Sequence, residues 1–178
     1  MKNMRFLVLA SLVLVATFLR LAPLPANFSP IAAIALFAGA ILAQPRWLAL
    51  VIPLISLAIS DLLLGYVAQP FVYASYALIA LLGYGLVKQN SEETPVWSSI
   101  GLSALAASAV FFLVSNFGVW VEGNLYSRTG EGLVACYLAA VPFFWNTMVG
   151  DLVFTFGIFA TWAVLVKSAP SLRVVRGR

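Results

Sequence analysis

Between Trp47 and Val67 the chain reads WLALVIPLISLAISDLLLGYV, a run of apolar residues interrupted by a single charged side chain, Asp61. Wound as a helix at 1.5 Å per residue, such a run covers the roughly 30 Å hydrocarbon core of a bilayer and satisfies its own backbone amides. Five further apolar runs flank it, at Phe6–Ala22, Pro30–Ala43, Phe71–Val87, Val96–Trp120 and Pro142–Val166. The fold class read from this spacing is all-α: a polytopic membrane protein, a six-transmembrane-helix bundle. No linker or shift in composition divides the chain, so residues 1–178 are taken as a single transmembrane domain.

Composition agrees. The chain is 63% hydrophobic and 9% charged with a mean hydropathy of +1.03, whereas a soluble domain is about half apolar and a quarter charged. A water-facing surface cannot be built from that. Ten Lys and Arg give a net charge of +4, but they are scattered and form no basic patch interleaved with aromatics, which argues against nucleic acid as a partner. There is no histidine and one cysteine, Cys136, which excludes histidine-held haem, clustered zinc ligands and intrachain disulfides.

Residues Met1 to Leu19 imitate a signal peptide, with Lys2 and Arg5 before an apolar run, but no small-x-small cleavage site follows. They read as a retained first span. The second span is short; it either begins deeper in the membrane, tilts, or leans on the irregular segment Pro23–Pro30, where three prolines stand at a predicted break. Basic residues are retained on the cytoplasmic side. Six spans with the N-terminus inside put Lys2, Arg5, Arg46, Lys88, Lys167, Arg173, Arg176 and Arg178 in the cytoplasm and leave Arg20 and Arg128 outside. Both termini are then cytoplasmic, the chain lies in the inner (plasma) membrane with membrane lipid around it, and residues 121–141 form the longest external loop.

Asp61 and Asp151 fall inside predicted helices, where a carboxylate costs roughly 2.5–3.5 kcal/mol to insert at the centre. Both are expected to face the bundle interior in its outer half, within reach of one cavity. The plain alternative is that each cross-links neighbouring helices through Ser60, Asn146, Thr147 or a tyrosine. A protease with paired aspartates has only the two acids in its favour. The external half is also rich in amphipathic groups. Asn27, Asp61, Asn116, Trp120, Tyr126, Arg128, Tyr137, Asn146 and Asp151 are the candidate substrate-binding residues, because a small-molecule site needs an apolar lining with a few convergent polar groups. Cys136 reads first as a small hydrophobe in helix packing, and otherwise as a weak ligand to a metal that a substrate brings. No catalytic residue, resident metal or cofactor is expected. Ala32, Ala33, Ala35, Ala38, Gly39, Ala40 and Ala43 make the second span nearly all small, which allows close helix packing, in the first instance within the monomer.

The stretches Leu21-Ala22-Pro23-Leu24-Pro25, Pro45-Arg46-Trp47-Leu48 and Ile59-Ser60-Asp61-Leu62, with the small-residue second span, resemble the substrate-binding S component of energy-coupling-factor vitamin transporters. Ser115-Asn116-Phe117-Gly118-Val119-Trp120 and Pro142-Phe143-Phe144-Trp145-Asn146 extend the likeness to an uncharacterised bacterial family described as S-component-like. The resemblance implies a six-helix bundle that captures a vitamin or similar micronutrient, the small-molecule substrate, from the outside. It also implies a partner, a coupling membrane subunit with two ATPases, since this chain has no P-loop. The first span departs from the family's Ala-x-x-x-Ala docking pattern, because Leu14 stands four residues after Ala10 and Arg20 four after Ala16. The competing expectation is a non-catalytic accessory or assembly subunit of a larger membrane complex, with the small-residue span as its interface.

Overall fold

The structure, a computed structural model, describes residues 7, 11, 14, 15, 18–41, 47–88 and 94–169. Lys2, Arg5, Arg46, Arg173, Arg176, Arg178, Ala10, Ala16 and Ala43, which entered the reading of topology and packing, lie outside the described residues. The chain is helical at 7, 11, 14, 15 and 18–21 (α1). It then forms α2 (Ile31–Ile41), α3 (Trp47–Leu64), α4 (Pro70–Leu86), α5 (Trp97–Glu122) and α6 (Gly130–Ser168). There is no β-strand among the described residues. Three of these helices, α3, α5 and α6, are long and apolar enough to cross a membrane. Leu62 and Leu63 on α3, Leu102 on α5, and Leu138 and Val164 on α6 are exposed. A water-soluble bundle would turn such side chains inward.

α2 occupies the centre. All eleven of its residues are buried, and it packs on α3, α4, α5 and α6. At 1.5 Å per residue it covers only about 16 Å, half a bilayer core, so the irregular segment 22–30 completes its path. Its small side chains permit backbone-to-backbone approach to α4: a Cβ added at Gly39 would collide with the Ala80 carbonyl, and one at Gly83 with the Leu36 carbonyl. The close-packing expectation for the small residues is thereby met inside the monomer. Around α2, one apolar cluster centres on Ile31, Leu36, Leu57, Ile79 and Ala104. A second gathers Phe37, Ile100, Phe159, Trp162 and Val166, where Phe37 meets Phe159 and Trp162 edge-on at centroid distances of 5.3 and 5.5 Å.

The sixth helix differs from its expected limits. It starts at Gly130 rather than near Pro142, so most of the predicted external loop 121–141 is helical and only residues 123–129 connect α5 to α6. The Thr129 side chain caps the new start by accepting from the Gly132 amide at 3.2 Å. Residues 130–141 are apolar enough to pack on α5, and Pro142 is tolerated within the helix because only one amide bond, that to the Leu138 carbonyl, is lost. The result is a helix of 39 residues, about 58 Å long and longer than a bilayer core.

Candidate functional site

One end of the bundle is hollow. Here α3 finishes, α4 begins, and the segment 22–30 lies across the opening before α2 descends. The geometry of the α3 terminus fixes the first functional group. Gly65 takes the left-handed conformation at φ 70°, its amide donates to the Leu62 carbonyl at 3.3 Å, and the Tyr66 amide donates to the Asp61 carbonyl at 2.8 Å. This paired closure satisfies carbonyls that the helix end would orphan. It also places the Asp61 side chain in the last turn, where the helix dipole opposes a negative charge.

Arg20 resolves that conflict. Its guanidinium donates to Asp61 Oδ1 at 2.6 Å and also to Ser60 Oγ and the Leu57 carbonyl. The Tyr73 hydroxyl donates to Asp61 Oδ2 at 3.0 Å. Three elements, α1, α3 and α4, are therefore tied through one buried carboxylate. Of the partners expected for Asp61, a tyrosine is indeed one and Ser60 belongs to the same network. Arg20, read from the sequence only as an external charge, is the residue that sequence reasoning missed. Its signal was its place at the end of an apolar run, 41 residues from Asp61, where a basic side chain needs a counter-charge or an aqueous space.

Arg20, Asn27, Phe28, Asp61, Gln69 and Tyr76 belong to the wall of a cavity of about 880 Å³. A smaller one of about 160 Å³ adjoins it and shares Asn27, Gln69, Val72 and Phe111. Asn27 is held at φ 64°, a conformation that asparagine tolerates better than most residues. The segment is fixed from below, since Phe28 packs edge-on against Phe154 and Asn146 Nδ2 donates to the Ala26 carbonyl at 3.1 Å.

The nine candidate residues divide sharply. Asn27 and Asp61 line the larger cavity, and Asn27 and Asn116 the smaller, although Asn116 Nδ2 is engaged by the Phe112 carbonyl at 2.8 Å. The other six line neither cavity. Trp120 donates to the Ser127 carbonyl at 2.9 Å. Arg128 donates to the carbonyls of Val121 and Gly123, which fastens the 123–129 connection. Tyr137 donates to the Leu113 carbonyl at 2.7 Å, Asn146 anchors the segment above, and Tyr126 lies in the α5–α6 connection. Asp151 is buried at 2% exposure and accepts from Ser108 Oγ at 2.7 Å, a cross-link between α5 and α6. The two carboxylates are both interior, but only Asp61 faces the cavity. Cys136 is buried between α5 and α6, with its thiol toward the Asn116 carbonyl at 3.5 Å. Among the described residues, no three His, Cys, Asp or Glu side chains gather in a way that would hold a metal ion.

The described residues define a helical bundle with three helices long and apolar enough to cross a membrane and a cavity at one end. The chain belongs to the family described as Family of unknown function (DUF6580), whose profile matches residues 1–172. No curated protein and no solved structure matches it.

Proposed function

We propose that this chain is a multi-pass membrane transport component, similar to the S component of energy-coupling-factor transporters, that binds a vitamin or comparable micronutrient from the extracytoplasmic side for uptake. The observation that carries the reading is the cavity of about 880 Å³ at the hollow end of the bundle. Ligand sites for small molecules are concave spaces of roughly 300–1,000 Å³, with apolar walls and a few fixed polar groups. Lys88 follows the end of α4 opposite the cavity, and Lys167 lies in the last turn of α6. Retention of basic residues in the cytoplasm then turns the cavity mouth outward. Release inward would come from a separate module of a coupling membrane subunit with ATPases, as the resemblance implies.

The accessory-subunit alternative rested on the small-residue span as an interface, and α2 is wholly enclosed by its own bundle. The test is a thermal-shift screen of the purified chain in detergent against vitamins and nucleobases. A ligand present at a hundred times its Kd stabilises the folded state by about 2.7 kcal/mol, well within detection. Stabilisation by at least one compound is expected. A flat response across the panel, with no small molecule carried through purification by mass spectrometry, sinks the proposal.

A further inference from the structure

Among the described residues, two charged side chains line the larger cavity, Arg20 and Asp61, and they neutralise each other at 2.6 Å. Both carboxylate oxygens of Asp61 are already engaged, Oδ1 by Arg20 and Oδ2 by Tyr73. An anionic ligand would set two negative charges on one guanidinium, next to the negative end of the α3 dipole. A cationic ligand would have to draw Asp61 away from Arg20 and leave a buried charge uncompensated. The wall thus complements neither sign of net charge unless the Arg20–Asp61 pair is disturbed.

What remains on offer is neutral. The carboxamides of Asn27 and Gln69 stand at the junction of the two cavities, and among the described residues neither side chain makes a hydrogen bond. Each presents one acceptor and two donors, the complement of a lactam or amide edge in which N–H and C=O stand side by side. Phe28, Tyr76 and Phe111 line the same space and contribute aromatic, apolar wall to it, and aromatic rings favour offset or edge-on contact with other rings. Resting on the reading of this cavity as a ligand site, we infer that it selects an uncharged heteroaromatic compound with a lactam or amide edge, recognised by Asn27 and Gln69.

Matched probes test the inference on the full chain in detergent: riboflavin against its 5′-phosphate, nicotinamide against nicotinate, and thiamine as a cation. The uncharged member of a pair should raise the melting temperature more than its charged counterpart. Asn27→Gly keeps the left-handed backbone that glycine adopts freely, and Gln69→Ala removes a side chain that caps nothing. Each should weaken binding of the uncharged probe by roughly two- to tenfold, the worth of one neutral hydrogen bond, with the unliganded melting temperature unchanged. Preference for a charged member, or carboxamide variants that bind as the parent does, overturns the inference and leaves the small-molecule reading standing. Binding by no probe of any charge overturns the inference, and the small-molecule reading falls with it only when the wider panel and mass spectrometry of the purified chain are negative as well.

Discussion

Replacing Arg20 by methionine removes the cation while keeping much of the aliphatic stem, and so isolates what the Arg20–Asp61 pair contributes. Arg20 and Asp61 side chains are 18% and 10% exposed, so the carboxylate left behind in Arg20→Met would be nearly buried, at a helix C-terminus, with Tyr73 as its one remaining donor among the described residues. Breaking a buried pair from one side costs about 3–5 kcal/mol. The cavity alongside admits water to Asp61, which sets the expectation at the lower end, about 3 kcal/mol. At roughly 2–4 °C per kcal/mol for a chain of this size, the melting temperature in detergent should fall by about 6–12 °C. Asp61→Asn leaves a guanidinium that still reaches Ser60 and the Leu57 carbonyl, and should cost less, about 1–2 kcal/mol. The double variant should then lose less than the sum of the two single losses, short of it by an interaction energy of about 1–3 kcal/mol. Losses that add to within about 0.5 kcal/mol would refute the claim that the pair is one energetic unit.

Two further outcomes follow from packing and topology. Gly39→Ala drives a Cβ into the Ala80 carbonyl, an atom of a rigid helix, and should lower stability by about 1–3 kcal/mol as α2 and α4 are forced apart. Gly157→Ala meets open space and should leave the melting temperature unchanged or higher; equal losses at both positions would contradict the described α2–α4 contact. With Asn124→Cys in a Cys136→Ser background, an exposed site in the α5–α6 connection should react with an impermeant maleimide in intact cells. Labelling seen only after lysis would reverse the orientation that the basic residues imply.

Hydropathy and spacing were enough to locate α3, α4 and α5 nearly to their ends, to mark the second helix as short, and to require that Asp61 and Asp151 be interior. Each of these is a local property: a run of apolar side chains fixes a helix in lipid whatever its neighbours, and a carboxylate must leave the lipid face on its own account. The start of α6 was not legible, because Gly130, Glu131 and Pro142 look like loop residues until Thr129 caps the helix and α5 covers its apolar face. Nor was the site. The polar residues between 116 and 151 lie together in sequence, yet most are engaged in joining α5 to α6 or in closing their connection, since polar groups surrounded by apolar ones must find partners nearby. Which groups meet across the bundle depended on packing alone. Arg20 finds Asp61 across 41 residues, Ser108 finds Asp151 across 43 and Asn146 finds Ala26 across 120. No periodicity carries that information, because it arises only when helices of fixed length and small-residue faces settle into one arrangement and leave a cavity at one end.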